Sequence, residues 1–257
     1  MASPRVCVTG GGGYIASWLV KLLLSRGYAV HATVRDPCDQ KNAHLMQLEG
    51  AAESLSLFKA DVLDRAALAA AVEGCQGVFH VASPVPANKI VDPESEIMVP
   101  AVKGTLNILE VCSSLKVQKK NMHGEGGGPN ALNDTALQIV DVRDVADALL
   151  LVYEKPESSG RYICAPNYIS TKALLELLKK THPDYNYVKC KAETHQNSPV
   201  TPISLAKLSN LGWTPRALEE TLLDSIECYR RMGILQDVEG QTYRLPDIFR
   251  HYQAANG

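Results

Sequence analysis

Val6-Cys-Val-Thr-Gly-Gly-Gly-Gly-Tyr-Ile-Ala16 is the stretch that decides the fold. A short apolar run ends in four glycines, Gly10 to Gly13. A helical pattern follows, with Ile15, Trp18, Leu19, Leu22 and Leu23 on one face. Strand, glycine turn and helix in that order give glycine spacing a meaning it lacks alone. Gly10, Gly13 and Ala16 fit G-x-x-G-x-x-[GA], a variant of the dinucleotide fingerprint. Glycine permits the tight turn and leaves no Cβ between backbone and ligand. The helix N-terminus then offers N–H groups and a positive dipole end to a pyrophosphate. A ligand-free turn is the bland alternative, and the strand–turn–helix context argues against it.

Composition narrows the classes around this turn. A chain of 257 residues with 46% hydrophobic content suits one large α/β domain, or a domain with an appendage. The net charge of −2, without a long basic run, disfavours nucleic acid or an anionic membrane as a partner. No apolar stretch approaches the roughly 20 residues of a membrane span. Met1-Ala-Ser-Pro-Arg5 leads straight into the first strand, so no signal peptide is expected. Seven cysteines are scattered singly, without Cys-x-x-Cys, which reads as reduced thiols and a cytoplasmic location. Cys190, His182 and His195 match no zinc spacing, and no metal site is expected.

The rest of the first half continues the alternation. Residues 5–9 read as a strand, about 14–26 as a helix, and Ala29 to Arg35 as a second strand. Arg35 stands at that strand's tip, where a carboxylate would bind the ribose 2′-hydroxyl of NAD. An arginine there favours the 2′-phosphate of NADP, with Lys41 close enough to help. A surface pair with Asp36 is the plainer alternative. Leu55 to Ala60 reads as strand three, ending at Asp61-Val62-Leu63. Asp61 is placed to meet the adenine amino group or to cap the helix from about Arg65 to Val72, and Asp64 could do the capping instead. Gly77 to Ala82 reads as a buried parallel strand that ends at Ser83-Pro84, with His80 a core histidine. A long helix is expected over Glu94 to Leu115, with Val99, Val102, Leu106, Leu109 and Cys112 as its apolar positions. The expected fold is α/β, a Rossmann-type doubly wound parallel sheet, truncated, with a small mostly helical C-terminal substrate-side lobe.

VTGGGGYIASWLVKLLLSRGYAV, TVRDP with Lys41-Asn42, FKADVLD, FHVASP and AVKGTLNILEVC together resemble the extended short-chain dehydrogenase/reductases. Within them the chain is most similar to the plant cinnamoyl-CoA reductase and dihydroflavonol reductase group. Val140 to Ala146, Gly160 to Cys164, Leu211-Gly-Trp213 and Leu218 to Leu222 continue the resemblance. It implies NADP-dependent reduction of a carbonyl or thioester by hydride transfer, on a phenylpropanoid or flavonoid-type small molecule. It also implies cofactor contacts for Gly10, Gly12, Gly13, Tyr14, Ile15, Arg35, Lys41, Asp61, Val62, Val81, Ala82 and Ser83.

The resemblance breaks between Lys120 and Asn121. In the family a buried strand ending in serines follows, then a helix with Tyr-x-x-x-Lys, then a further strand. Here Asn121 to Pro129 reads as a flexible glycine-rich loop. The family's tyrosine protonates the substrate oxygen and its lysine lowers the tyrosine pKa, so the absent piece carries the chemistry. Tyr168 with Lys172, Tyr185 with Lys189 and Tyr187 with Lys191 are coincidental spacings. Tyr168 precedes the cap of the next helix (Ser170 or Thr171), so that pair does not share a helical face. Asp141, Asp144 and Asp147 read as first-turn acids of a helix. No catalytic residue is assigned. The expected organisation is an NADP-binding part over 1–120, a glycine-rich junction over 121–137 and the C-terminal part of the reductase fold over 138–257. Losing the next strand is expected to leave the apolar edge of Gly77 to Ala82 open, to be covered by Arg161 to Ala165 or by self-association. Three readings of function stay open. One is a cofactor-binding chain with little or no activity. The second is an active reductase with a substitute acid, such as one of these tyrosines or His123. The third is a non-catalytic module that pairs with a full-length relative.

Overall fold

The computed structural model describes residues 3–85, 90–122, 136–183, 204–233 and 235. His123, Tyr185, Tyr187, Lys189, Cys190, Lys191, His195 and the tail from Gly240 lie outside these residues.

Strand β1 (Arg5–Thr9) runs into the glycine turn, and α1 (Tyr14–Ser25) leaves it. β2 (Ala29–Val34) leads through short helices α2 (Ala43–Met46) and α3 (Ala51–Ser54) to β3 (Leu55–Lys59). α4 (Arg65–Val72), β4 (Gly77–His80), a π-helical turn over Glu94–Met98 and α5 (Val99–Ser114) follow. The last sheet strand is β5 (Lys119–Met122), and the parallel order is β3-β2-β1-β4-β5. All four residues of β4 are buried and apolar Val6, Val8 and Val30 are fully buried, as expected of strands covered on both faces.

Helix α6 (Val142–Glu154) packs against α1, and α4 packs against α5. Crossovers running in opposite directions from β1 put these two helix pairs on opposite faces of the sheet. Gly77 lets α6 approach: a Cβ there would overlap the Tyr153 ring, which lies 4.8 Å from the Phe79 ring. Val78, Leu68, Val72, Ile108, Val111 and Cys112 form the core beneath α4 and α5.

Two compact units are distinguished. The first comprises 1–127, 142–161 and 208–213, and the second 128–141, 162–207 and 214–257. In the second, β6 (Ala136–Ile139) pairs antiparallel with β7 (Asn167–Ser170), and α7 (Thr171–Thr181) packs against α9 (Leu218–Arg231). The short α8 (Ala206–Ser209) spans the boundary in sequence. Every buried apolar side chain among the described residues belongs to the first unit. The second buries only Asp141 and Thr171.

Three expectations are corrected. The β4 edge is not open, because β5 pairs with it from Gly77↔Lys119 to His80↔Met122. Lys119-Lys-Asn-Met122 lacks the apolar signature of an interior strand, so pattern reading took Lys120–Asn121 for the break. The strand is held by α6 instead: Lys119 Nζ donates to Tyr153 O (2.6 Å) and Asn121 Nδ2 to Leu149 O (2.8 Å). Lysines also blunt this strand against edge-to-edge pairing. Second, Arg161 to Ala165 forms no strand. Third, α5 buries Gly104, Ile108, Val111 and Cys112, whereas Val102, Leu106 and Leu109 are exposed. Of the expected apolar positions Cys112 is buried, while Val102, Leu106 and Leu109 lie on the side that does not face the sheet.

Candidate functional site: a dinucleotide cradle

The cradle lies at the carboxyl ends of β1, β2 and β4, all within the first unit. Gly11 N donates to Thr33 O (2.8 Å), Gly10 N to Thr33 Oγ1 (3.1 Å) and Gly13 N to Gly10 O (2.8 Å), which closes the turn against β2. Gly10 adopts φ +69, the left-handed region that glycine enters without a Cβ penalty.

Three of the four glycines are required by protein neighbours rather than by a ligand. A Cβ on Gly10 would meet Ala82 Cα at 3.0 Å, and one on Gly11 would meet Ala32 Cβ at 2.7 Å. A Cβ on Gly12 would overlap Asn42 Oδ1. Gly13 differs, because an added Cβ there would meet only Gly10 O, at 3.2 Å. The space in front of Gly13 is therefore open toward the helix N-terminus. Gly13 is the N-cap of α1, no side chain caps that terminus, and its first turn holds no acidic residue. A twelve-residue helix with uncapped N–H groups behind an open glycine fits a pyrophosphate. Tyr14 is exposed at the start of the helix, and Ile15 follows it.

Arg35 and Lys41 stand exposed beyond the tip of β2. Asp39, which sequence reading passed over, makes an ion pair with Lys41 (2.7 Å). The Lys41 hydrogen bond, with Arg35 nearby, lowers the Asp39 carboxyl below its ordinary value. Asp36 does not pair with Arg35; its Oδ1 accepts from Cys38 N (3.0 Å) and turns the loop. Asn42 was also missed as an individual residue. It is 2% exposed, its Nδ2 donates to Asp36 O (2.8 Å), and its Oδ1 has no hydrogen-bond partner. That oxygen fills the space a Cβ on Gly12 would occupy, so it packs against the turn and is not aimed at a ligand.

Asp64, not Asp61, caps α4, with Oδ1 accepting from Ala67 N (3.0 Å). Asp61 Oδ1 accepts from Leu63 N (2.9 Å), leaving the residue exposed after β3. Val62 O accepts from Asn107 Nδ2 (3.0 Å), and Gly104 makes room for the Val62 side chain. Val81 N and Ala82 N both donate to Thr9 Oγ1 (3.1 Å each), so the segment Val81-Ala82-Ser83 is tied to β1 beside the glycine turn. His80 is buried, as expected of a core residue, and burial pushes its pKa down to about 4.

Tyr168 lies in β7 and is exposed, whereas Lys172 lies on α7, whose N-cap Ser170 accepts from Ala173 N (3.1 Å). The two side chains belong to different elements. Among the described residues no group of three or more potential metal ligands is assembled, and no helix is long and apolar enough to cross a membrane.

A sheet ordered β3-β2-β1-β4-β5 with an uncapped helix after its first strand defines a Rossmann-type dinucleotide fold. Residues 6–123 match the NAD dependent epimerase/dehydratase family. Cinnamoyl-CoA reductase 1 of Petunia hybrida is 33% identical over 315 positions, covering 90% of this chain and 93% of the relative. Dihydroflavonol 4-reductase of Callistephus chinensis is 39% identical over 183 positions, covering 71% of this chain and 50% of the relative. The structure of yeast methylglyoxal/isovaleraldehyde reductase Gre2 complexed with NADPH superposes with a TM-score of 0.73 at 18% identity, covering 90% of this chain and all of that one. This chain belongs to the cinnamoyl-CoA reductase and dihydroflavonol reductase group of the extended short-chain dehydrogenase/reductases, an NAD(P)-dependent reductase family. The 315 aligned positions exceed the 257 residues available, so the Petunia enzyme carries residues opposite which this chain has none.

Proposed function

We propose that this chain binds NADP(H) in the cradle and has little or no reductase activity. The observation that supports the reading is the pairing of an open glycine cradle with an alignment in which the Petunia relative carries residues opposite which this chain has none. The open face of Gly13 and the α1 N-terminus take the pyrophosphate, with Gly10, Gly12, Tyr14 and Ile15 shaping the turn. Arg35 and Lys41 take the 2′-phosphate, Lys41 exchanging Asp39 for a stronger anion. Asp61 and Val62 face the adenine, and Val81, Ala82 and Ser83 line the path toward the nicotinamide. NADPH held there would offer a hydride for carbonyl reduction, and protonating the product oxygen would need an acid poised by a neighbouring cation. Tyr168 is on a strand with Lys172 on the following helix, which is no such arrangement. The division we propose is cofactor binding by 1–120, a junction over 121–137 and a C-terminal remainder over 138–257, in a cytoplasmic protein.

The names of the relatives suggest phenylpropanoid and flavonoid substrates for testing. Titration of the purified chain with NADPH and NADH is expected to give saturable binding with preference for NADPH. Turnover assays with cinnamoyl-CoA and with a dihydroflavonol are expected to show no NADPH oxidation above background. Robust turnover abolished by Tyr168→Phe would overturn the inactive reading in favour of a substitute acid. Absence of NADPH binding would remove the cofactor assignment.

A further inference from the structure

The β1–β4 ladder ends at the pair Thr9↔His80. β1 then leaves the sheet at Gly10, and the next two N–H groups on the β4 side, those of Val81 and Ala82, pass beyond the ladder. Thr9 meets them with its side chain, its Oγ1 accepting from both. A hydroxyl oxygen has two lone pairs and one proton. Both lone pairs are taken, and the proton is directed at His80 Nδ1, 2.8 Å away. On the far side of the ring, Nε2 lies 3.3 Å from Thr105 Oγ1 of α5. A proton on Nδ1 instead would face an oxygen with no lone pair left, and would displace Val81 N or Ala82 N. Thr9 is 0% and His80 5% exposed, so water does not compete for these bonds.

This relay stands where the sheet changes direction. From β1 the order runs through β2 to β3 on one side, and through β4 to β5 on the other. In open parallel sheets a ligand enters the crevice between the two strands at that reversal. Here one lip of the crevice is Gly10 and the other is Ala82, so close that a Cβ on Gly10 would meet Ala82 Cα at 3.0 Å. Gly10 is fixed from the β2 side, where its N–H donates to Thr33 Oγ1. Ala82 is fixed by Thr9. The neighbours of Thr105 on α5 serve Val62 by separate contacts: Gly104 admits its side chain, and Asn107 Nδ2 donates to its carbonyl.

We infer that Thr9, His80 and Thr105 are positioning residues for the dinucleotide: the neutral imidazole, braced by α5, orients the Thr9 hydroxyl, and that hydroxyl sets how far Val81-Ala82-Ser83 stands from the glycine turn. The inference rests on the reading that the cradle holds NADP(H), and it adds a division of labour. The nicotinamide half enters past the segment that the relay holds. The adenine half meets the end of β2 and Val62, and does not use the relay. Without the Thr9 hydroxyl, two N–H groups beside the crevice lose their partner and the segment shifts to find another.

Titration of the whole chain with NADPH and with adenosine 2′,5′-bisphosphate, which has the adenine and the 2′-phosphate but no nicotinamide, tests this. Thr9→Val keeps the side-chain shape and removes the hydroxyl. It is expected to weaken NADPH binding by about tenfold or more, and bisphosphate binding by less than about threefold. Thr9→Ser, which restores a hydroxyl, is expected to bind NADPH within about threefold of the parent chain. Thr105 is half-buried at the outer end of the relay. Thr105→Val is expected to weaken NADPH by about two- to fivefold, to spare the bisphosphate, and to move the His80 nitrogen resonances toward a mixture of tautomers. Unchanged NADPH affinity in Thr9→Val overturns the relay while leaving the cradle in place. An equal loss for both ligands also overturns it, because that is the mark of a merely structural role. Where Thr9→Val does not fold, the same two outcomes in Thr105→Val decide. A parent chain that binds neither ligand overturns the cradle reading, and the relay with it.

Discussion

His80 Nδ1 lies 2.8 Å from the Thr9 hydroxyl, and this contact settles the imidazole's tautomer. Thr9 Oγ1 already accepts from Val81 N and Ala82 N, so its proton goes to Nδ1. The ring's own proton is then on Nε2, which donates to Thr105 Oγ1 (3.3 Å). A neutral histidine thus links β1, β4 and α5 directly behind the cradle.

Burial holds the folded His80 pKa at about 4, against 6.5 for a solvated imidazole. Between these values the unfolded chain takes up a proton that the folded one refuses. His80 therefore makes no change to stability above about pH 6.5, and its contribution is lost as pH falls from 6.5 toward 4. The loss is on the order of 3 kcal/mol. Urea midpoints measured from pH 7 to 4 should show this slope, and His80→Phe should flatten it. An unchanged slope in the variant would assign the effect to other groups.

Gly12 and Gly13 are adjacent, yet their substitution should fail in different ways. Gly12→Ala overlaps Asn42 and is expected to cost about 1–3 kcal/mol of stability. Adding Asn42→Ala to that variant should recover about 1 kcal/mol, a coupling readable by a double-mutant cycle. Gly13→Ala meets only Gly10 O, so stability should change by less than about 1 kcal/mol. NADPH affinity should nevertheless fall by about tenfold or more, since the new methyl stands before the α1 N-terminus. Calorimetric titration of both variants separates the two effects.

Asp39 holds Lys41 in an ion pair that a 2′-phosphate bound as proposed would have to displace. Asp39→Asn is expected to raise NADPH affinity roughly two- to fivefold, the range of an exposed ion pair, with little change for NADH. Arg35→Glu should reverse the preference by placing a carboxylate where the 2′-phosphate would bind. Equal responses for the two cofactors would dissociate this cluster from the 2′ position.

The second unit should open before the first. Its described residues bury no apolar side chain, and its sheet has two strands, too few for independent stability. Hydrogen exchange is expected to show α7 and α9 amides exchanging through openings of lower free energy than β1 or β4 amides. Equal protection in both units would contradict this.

Much of the cofactor side was legible in the chain. β1, the glycine turn, α1, β2, β3, α4 and β4 fall within a residue or two of their expected bounds, because each carries a complete local signal in periodicity and punctuation. β5 escaped because its polar residues are satisfied by α6 carbonyls thirty positions away, a relation no local pattern contains. Asn42 escaped for the same reason, since its contact with Gly12 is made across the fold; Asp39, only two residues from Lys41, was a local signal that the reading of Arg35 overshadowed.

By itself the sequence determined the Rossmann order, the glycine turn and the family, because these rest on short-range rules of glycine geometry and strand–helix alternation. Tertiary structure alone decided which glycine is left open by its protein neighbours, which carboxylate caps α4 and which stripe of α5 is buried. Each of those outcomes depends on what stands opposite a side chain across the sheet, and an amphipathic helix with two apolar stripes does not declare in advance which one will meet the core.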